Sequence, residues 1–414
     1  MPEAHPLAIV LGGTHPHVAL VENLEARGYR VVLVDYHEAP PASRVADEHV
    51  RLSTLDLEAV LSLARERKAS LVIAACVDRA NVAAAYVAER LGLPAPYGFA
   101  TAERIANKRT MKERLAQTGV PTAAFRVAGS VAEAERLPVD FPVVVKPVDC
   151  GGSKGVRKAV DRRELRLAAE EAFKVTRAEE ILVEEFCDGT EVGADCFVQD
   201  GEAHVLALRE KHVRLGGVEG VLSNYASVMP ARVSAAARER IHRAASDIAR
   251  GFGLRTTPLL VQFIVDGDDV RVIEFAPRVG GGLNYRLVRM WTGFDLVDAT
   301  VNAWLGRASA VTMSSSGGCL SSNHVYAEAG VFGEVRNAQR LLQDGVVDEF
   351  YVHKARGAKI GASLSAADRA ASFIVRAADA DELLRRTKRA VETLDVLDID
   401  GRSVIRRDLY LQSL

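Results

Sequence analysis

A lysine followed by a glycine-rich loop is the part of this sequence best suited to holding phosphate. Positions 143–156 read VVVKPVDCGGSKGV, in which a run of β-branched residues leads to Lys146. The loop then supplies Gly151, Gly152, Ser153, Lys154 and Gly155. Glycines let main-chain N–H groups approach phosphate oxygens, while a hydroxyl and two lysines add a donor and positive charge. The spacing matches neither GxxxxGK[ST] nor GxGxxG, so a plain surface hairpin stays open as an alternative.

Two later segments carry carboxylates at the ends of strand-like runs. Positions 181–198 (ILVEEFCDGTEVGADCFV) contain an apolar strand, acidic residues around an Asp-Gly turn, and a second strand. Positions 261–282 (VQFIVDGDDVRVIEFAPRVGGG) form a hairpin with a glutamate and an arginine near its exit. In this order the three segments resemble the ATP-grasp superfamily, whose members clamp ATP between the antiparallel sheets of two α+β subdomains.

The resemblance implies a set of residues that bind ATP. Lys108 would reach the phosphates from the linker that leads to the first ATP-binding subdomain, together with the glycine loop and its two lysines. Glu184 would accept the adenine amino group, the main chain at Phe186 would contact the ring, and Glu191 would bind the ribose hydroxyls. Carboxylates are strong acceptors for such groups, above all in a partly buried cleft.

Without the resemblance, the segment around Lys108 would be read as a solvated helix face. Arg104, Arg109 and Lys112 lie in the same segment, and runs of charge on a helix are commonly exposed to water.

The hairpin departs from its relatives at the expected metal ligands. The pattern in most of them is a glutamate on one strand and E-x-N-x-R on the next, whereas this sequence has Gln262, Glu274, Ala276 and Arg278. Glu274 would be the single anionic ligand, and Gln262 would offer a carbonyl oxygen. Mg²⁺ needs few protein ligands because it keeps waters and binds substrate phosphates. Weak metal binding, one ion in place of two, and loss of catalysis therefore all stay open.

The resemblance implies an ATP-dependent carboxylate–amine ligase that forms ADP. ATP and Mg²⁺ would be the cofactors, and a small carboxylate, typically of an amino acid, would be activated as an acyl phosphate for attack by an amine. Lys146, Lys154 and Arg278 would neutralise charge during transfer. A structural salt bridge is the alternative role for Arg278. A biotin-dependent carboxylase component and a non-catalytic, regulatory ATP-binding protein are the alternative functions.

Substrate contacts are expected in two places. The polar, glycine-rich stretch 209–231 predicts an active-site loop with Lys211, His212 and Asn224 as candidates. The turn after Arg278 would place Asn284, Tyr285 and Arg286 near the substrate as well.

Helices and strands have to position these residues, and the order of the predicted helices and strands indicates a mixed α/β and α+β architecture. Strands at 7–13, 30–34 and 71–75 alternate with helices at 18–27, 55–68 and 79–91, which predicts a parallel sheet with Gly12, Gly13, Thr14 and Asp78 at its ligand edge. His15 and His17 suggest a metal only if further ligands approach.

We expect three domains. They are an N-terminal α/β domain (1–105), an ATP-grasp domain (106–308) with a small lid subdomain at about 122–185, and a small C-terminal α+β domain (309–414). In the last, strands are expected at 354–361 and 374–377 and a helix at 381–394.

Composition agrees with a globular enzyme. The 414 residues are 48% hydrophobic and carry a net charge of -2, which gives no general attraction to nucleic acid or to a membrane surface. The five cysteines are scattered and show no metal-binding spacing, and no apolar run approaches the length of a membrane span. We expect a cytoplasmic protein with small-molecule partners, and a homodimer is plausible.

Overall fold

The computed structural model describes residues 5–215, 222–314 and 316–411. The first segment folds into a four-stranded parallel sheet in the order β3-β2-β1-β4. Its strands are β1 (Leu7–Leu11), β2 (Arg30–Val34), β3 (Glu48–Val50) and β4 (Leu71–Ala74), and its helices are α1 (His15–Ala26), α2 (Leu57–Glu66) and α3 (Asp78–Leu91). The sequence predicted this alternation but missed the short strand β3.

Helix α1 begins three residues earlier than expected, so His15 and His17 both lie in its first turn. His17 is buried and its ring contacts the main-chain N–H groups of Thr14 and Ala75. His15 bonds instead to the main-chain oxygen of Val352. Among the residues the structure describes, no group of three or more His, Cys, Asp and Glu side chains is placed to hold a metal ion.

A small antiparallel sheet follows, reached through two helices. The helices are α4 (Phe99–Ala106) and α5 (Lys108–Gln117), and the sheet contains β5 (Phe125–Ala128), β6 (Val143–Pro147), β7 (Arg157–Ala159) and β8 (Ile181–Glu185), covered by α6 (Val131–Arg136) and α7 (Arg162–Val175). Its order is β5-β8-β6-β7, so the glycine loop is the connection between the two strands at one edge.

The next segment supplies most of a large sheet. Its elements are β9 (Thr190–Gln199), β10 (Glu202–Leu215), β11 (Leu222–Met229), α8 (Ala235–Phe252), β12 (Thr257–Asp266), β13 (Asp269–Ala276), α9 (Asn284–Thr292) and α10 (Leu296–Trp304). The predicted active-site loop at 209–231 is therefore wrong for its described residues, which form β10 and β11 at the centre of this sheet; positions 216–221 lie outside them. The polar residues of this stretch suggested a loop, but on both faces of the sheet they bond to other polar groups, as Lys211 does to Glu191 and Glu210 to the N–H of Arg232.

The C-terminal segment extends that sheet and adds a smaller one. Its elements are β14 (Cys319–Tyr326), β15 (Gly330–Arg336), α11 (Ala338–Gln343), β16 (Glu349–Val352), β17 (Lys359–Ile360), β18 (Arg369–Ala377), α12 (Ala380–Thr393), β19 (Asp395–Asp398) and α13 (Asp408–Leu411). The large antiparallel sheet runs β13-β12-β9-β10-β11-β14-β18-β16, and the small one runs β17-β15-β19. The strand expected at 354–361 shrinks to β17, because a turn at Arg356 and Gly357 interrupts it.

The predicted mixed α/β and α+β fold class is confirmed. The largest hydrophobic core joins the parallel sheet to β9, β10, β12 and the helices α8 to α10, and separate clusters lie under the small sheets. Three strands from beyond position 309 bond into the same sheet as the central segment, so the proposed domain limits stay a prediction. None of the described helices combines the length and the apolar character that crossing a bilayer requires.

Close packing of β15 against β19 yields a stability prediction. A β-carbon at Gly333 would collide with the main-chain carbonyl of Asp398, whereas Gly330 on the same strand has open space around it. We expect Gly333→Ala to lower the free energy of unfolding by about 1–3 kcal/mol through overpacking. The matched change Gly330→Ala should alter it by no more than about 0.5 kcal/mol. Urea unfolding of both variants tests this, and equal midpoints would contradict the packing described.

Candidate active site

The glycine loop lies where three parts of the chain meet. Gly152, Ser153 and Gly155 adopt positive φ values of 65°, 62° and 73°, a conformation that is uncommon for a residue with a side chain such as serine. A β-carbon on Gly151 would lie 3.1 Å from Asp78 Oδ2, and one on Gly152 would lie 3.6 Å from Ala366 Cβ. The loop is therefore close to both the N-terminal sheet and the C-terminal segment.

Lys108 connects this loop to the hairpin of β12 and β13. It is the first residue of α5, where the Asn107 side chain caps the helix by accepting from the N–H groups of Arg109 and Thr110. Lys108 Nζ donates to the carbonyl of Cys150 at 2.6 Å and pairs with Glu274 Oε2 at 3.1 Å. The alternative of a solvated helix face is wrong for this residue, whose side chain is only 12% exposed.

A second lysine of the same helix was missed by the sequence reasoning. Lys112 is fully buried, donates to Thr122 Oγ1 at 2.8 Å and pairs with Glu184 Oε2 at 3.1 Å. Burial lowers the pKa of Lys112. Its position four residues after Lys108 puts it on the same helix face, and that spacing was the available signal.

Glu184 connects Lys112 to the glycine-loop strand. Lys146 Nζ lies 2.8 Å from Glu184 Oε2, and both side chains are nearly inaccessible to water. The other oxygen, Oε1, is buried without a hydrogen-bond partner, which normally costs a carboxylate free energy. An acceptor left open in this way suits a ligand amino group, the role expected of Glu184 from the sequence.

The main chain of Phe186, which was expected to contact adenine, already uses its N–H in a hydrogen bond within the protein. The N–H of Phe186 donates to the carbonyl of Pro142 at 3.2 Å, and the Lys158 ammonium lies 3.5 Å from the centre of its ring. A main-chain contact with adenine at this position would have to use a group other than that N–H.

A chain of hydrogen bonds crosses four strands of the large sheet. Lys211 on β10 donates to Glu191 on β9 and to Gln262 on β12, and Gln262 Nε2 donates to Glu274 Oε1 on β13 at 2.6 Å. Gln262 and Glu274 are opposite each other in the strand register. The two residues expected to hold metal are thus adjacent, and Lys211, expected on a loop, bonds to both Gln262 and the residue expected to bind ribose.

The Glu274 carboxyl is held in its charged form. Burial opposes ionisation, but the positive charges of Lys108, Lys146 and Lys211 outweigh it and lower the pKa of Glu274 to about 2. Of these three lysines, Lys108 contacts the carboxylate directly, and Lys211 is linked to it through Gln262.

Arg278 links the hairpin exit to the N-terminal sheet. Its Nε donates to Asp78 Oδ1 at 2.6 Å, and its Nη1 donates to the carbonyl of Val279 at 3.0 Å. Asp78 begins α3 at the ligand edge of the parallel sheet, where the sequence placed it. Nη2 makes no hydrogen bond to another described residue, so Arg278 has a salt bridge and still offers a donor to the adjoining cavity.

A small cavity that opens to solvent lies beside these groups. Its wall includes Asp78, Lys108, Gln262, Glu274 and Arg278, with apolar side chains opposite them. A mostly apolar pocket with a few convergent polar groups is the usual form of a small-molecule site.

Three further candidates lie along α9. Asn284 is buried against the turn at Gly280, while Arg286 Nε pairs with Glu349 Oε2 at 3.0 Å. Tyr285 is also buried, and that burial raises its pKa. Their use as substrate contacts stays a prediction.

His212 and Asn224, which were also predicted to contact substrate from a loop, differ in their surroundings. His212 follows Lys211 on β10 and therefore points to the opposite face, where it contacts Glu210 and Tyr225. The structure does not bring it to the cleft. Asn224 accepts from the Tyr326 hydroxyl through its carbonyl, and its buried Oδ1 has no partner.

The pKa of Glu274 leads to a prediction about acid stability. A depressed pKa stabilises the fold above the ordinary value of 4.5, and this contribution is lost as the pH falls through about 2. Glu274→Gln should therefore unfold more readily than the unaltered protein at pH 7, and the difference should narrow as the pH falls from 4.5 towards 2. Glu392→Gln, at an exposed position, is the control. Urea midpoints measured across this range test the idea, which a constant difference would contradict.

Comparison with known proteins identifies two regions. Residues 139–285 match the ATP-grasp domain, and residues 323–397 match the C-terminal domain 2 of L-amino acid ligases. The chain is 27% identical over 356 residues to the formate-dependent phosphoribosylglycinamide formyltransferase of Rhodococcus jostii, covering 83% of each protein.

Solved structures share the fold over nearly the whole chain. The L-amino acid ligase from Bacillus licheniformis superposes with a TM-score of 0.78 at 21% identity, covering 96% of this chain and all of that one. The biotin carboxylase domain of the Hydrogenobacter thermophilus 2-oxoglutarate carboxylase, a dimer in complex with MgADP, ADP and bicarbonate, gives 0.75 at 18% identity over 97% and 92%. The resemblance predicted from the sequence is thus confirmed, and residues 139–285 of this chain are an ATP-grasp domain.

Proposed function

We propose that this protein transfers the γ-phosphoryl group of ATP to the carboxylate of a small molecule, giving an acyl phosphate that an amine then attacks. The observation that carries the proposal is the convergence of Lys108, Lys146 and Lys211 on the Glu274 carboxylate beside an arginine-lined cavity. Several cations are gathered at one cleft only at a cost in repulsion and desolvation, which a polyanionic ligand offsets. The L-amino acid ligase match at 323–397 supports an amino acid as the substrate class.

The nucleotide would lie between the small sheet and the large one. The glycine loop, Lys146 and Lys154 would contact the phosphates, while Glu184 would accept the adenine amino group through its open Oε1. Glu191 would bind the ribose hydroxyls, and its hydrogen bond to Lys211 would weaken as a result. Because Lys146 and Lys211 already have carboxylate partners, phosphate would share these two lysines with the protein carboxylates.

The residues present fit one magnesium ion held mainly through phosphate. Glu274 offers a charged carboxylate. The carbonyl oxygen of Gln262 accepts from Lys211, while its amide nitrogen donates to Glu274, so Gln262 would have to exchange these bonds to join Glu274 as a ligand. Mg²⁺ commonly takes one or two carboxylates together with phosphates and waters, so this donor pair is sufficient. When bound, the ion would neutralise the phosphates that Lys108 and Lys146 also contact.

Arg278 would position the substrate carboxylate for in-line attack on the γ-phosphorus. A carboxylate oxygen forms the new bond to phosphorus, the bond to the bridging oxygen of ADP breaks, and ADP leaves. The amine nitrogen then bonds to the acyl carbon, phosphate departs, and the nitrogen loses a proton. Asp78 fixes the Arg278 fork in the orientation that this placement needs.

ADP release from Mg-ATP with pooled amino acids and small carboxylates tests the proposed function. We expect pool-dependent release that falls roughly 100-fold or more in Lys146→Met and in Glu274→Gln, since each removes charge from the reacting centre. Lys174→Met, an exposed position on α7, should leave the rate unchanged. ATP binding without ADP release would favour the non-catalytic alternative, and absence of ATP binding would refute the nucleotide site.

Arg278 gives a more selective prediction. Arg278→Lys keeps the charge but loses the two-point fork, so kcat/KM for the carboxylate should fall about 100-fold while KM for ATP changes less than about threefold. Arg271→Lys, half-exposed on the same hairpin, is the matched control. Steady-state kinetics with each substrate varied in turn would reveal the difference, and an equal loss for ATP would argue for a purely structural salt bridge.

A further inference from the structure

Three histidine rings lie between helix α1 and the C-terminal strands, apart from the groups assigned to ATP. His15 Nε2 donates to the carbonyl of Val352 at 2.9 Å. The ring centres of His15 and His353 are 5.1 Å apart. His353 Nε2 lies 2.8 Å from Ser372 Oγ, and His324 Nδ1 lies 3.0 Å from the same oxygen. A row of three rings and one hydroxyl therefore leads from β14 through β18 to α1.

The inner end of this row borders the cleft. Gly282 lies in the turn that follows Arg278. A β-carbon on Gly282 would lie 3.6 Å from His324 Cε1 and 3.7 Å from Arg369 Nη1. Along the strand register, Lys211 and His324 share one face of the large sheet. The His324 ring is therefore part of the cleft wall, close to the turn that carries Arg278.

One nitrogen of His324 is held by the protein, and the other is open to a ligand. Nδ1 bonds to Ser372, whereas Nε2 makes no hydrogen bond to another residue in the described part of the chain. Nε2 is nevertheless not among the fully buried polar atoms that lack a partner, so it reaches a space that water or a small molecule can enter. An open ring nitrogen, with the opposite nitrogen fixed by a hydrogen bond, is the arrangement of a histidine base.

The Ser372 hydroxyl connects two rings with a single proton. Its side chain is fully buried, so both ring nitrogens have to be satisfied by this one group. When the hydroxyl donates to His353 Nε2, its oxygen accepts the N–H of His324 Nδ1. That arrangement leaves His324 Nε2 without a hydrogen, which is the form that a base requires. His353 is half-buried and lies nearer to water than the other two groups.

The charges around the three rings are mainly positive. The charged side chains that act on the rings are Arg44, Arg209, Lys211, Lys354 and Arg369. Tyr351, whose ring centre is 5.1 Å from that of His15, donates to Glu349, but this carboxylate is already paired with an arginine. Burial, followed by the positive charges, lowers the pKa of His324 well below its ordinary value. The ring is therefore neutral at pH 7 and able to accept a proton.

We propose that His324 is the general base that takes the proton lost by the attacking amine, and that Ser372 and His353 position its ring. This inference rests on the proposed ligase function and supplies the base for its second half. The amine nitrogen bonds to the acyl carbon, and the bond from that carbon to the phosphate oxygen breaks. The nitrogen keeps its N–H electron pair while the proton moves to His324 Nε2. After the products leave, Nε2 gives this proton to the water that enters the cleft.

The positive surroundings suit this step. Lys211, Arg209 and Arg369 disfavour an ammonium group beside them, so an amine binds there as the free base, which is the form that can attack. Once the nitrogen has bonded to the acyl carbon, it carries positive charge and has become strongly acidic. A neutral imidazole is then a sufficient base, even with a lowered pKa.

Hydroxylamine separates the two halves of the reaction. It is uncharged at neutral pH and traps an acyl phosphate as a hydroxamate, and its weakly basic nitrogen gives up a proton to water readily. With pooled carboxylates and amino acids, His324→Ala should retain hydroxamate formation within about threefold, while amide formation should fall roughly 100-fold. Added imidazole should restore amide formation about tenfold by taking the place of the missing ring. His242→Ala, half-buried on α8, is the matched control and should show neither effect.

Ser372→Ala tests the positioning role and leaves both rings in place. Amide formation should fall about tenfold with hydroxamate formation unchanged, because the tautomer of His324 is no longer fixed. This variant also keeps the proposal testable where His324→Ala does not fold, as judged by thermal unfolding of each variant.

The outcomes separate this inference from the function on which it rests. An unchanged ratio of amide to hydroxamate in both variants would refute the role of His324 alone. Equal loss of both products in a variant that unfolds cooperatively, without recovery in imidazole, would make the row a structural contact and also refute it. Absence of ADP release and of hydroxamate from the unaltered protein with every pool would overturn the ligase function itself.

Discussion

The charge balance around Glu274 is the constraint on which the cleft depends. Lys108, Lys146 and Lys211 approach this carboxylate from α5, β6 and β10, elements that belong to different sheets and a linker helix. In a poorly hydrated cleft, ammonium groups at this density repel one another unless carboxylates lie between them. Glu274 supplies that charge on the large sheet, and Glu184 does so beneath the glycine loop. The two sheets are thereby held facing each other across the space where a nucleotide would bind.

The same pairing explains how the protein tolerates an electropositive site. Most cations of the cleft have a carboxylate partner in the protein, so their side chains have defined positions. A phosphate ligand would enter a network that is already oriented, which reduces the ordering it has to cause.

Strand order brings the C-terminal strands into the same sheet as the hairpin that carries Gln262 and Glu274. The C-terminal strands β14, β18 and β16 bond directly to β11, so a single sheet extends from Glu274 to Glu349. The alternation of side chains then exposes a polar row on one face and a hydrophobic core on the other. A bulge at Tyr326 changes which residue of β18 joins that row.

The sequence by itself determined the parts whose signals are local. The alternation of strands and helices predicted the parallel sheet, and the glycine loop with Lys146 predicted a phosphate site. The spacing of Glu184, Glu191 and Glu274 indicated the family and with it the fold. Local signals also misled: polarity made β10 and β11 look like a loop, and charge made Lys112 look solvated, because a sequence does not show which polar residues bond to each other across a sheet.

Only the tertiary structure decided which acidic side chain pairs with which basic side chain. Lys112 and Glu184 are far apart in the chain, and their buried ion pair exists because α5 packs against the small sheet. Lys211 bonds to Gln262 because their strands, β10 and β12, are separated in the sheet by β9 alone, a distance that the long lysine side chain can cross. Arg369 reaches the cleft because a one-residue shift of register reverses the face of a side chain. Contacts of this kind depend on strand order and register, which are fixed by the packing of the whole sheet and leave no local pattern to read.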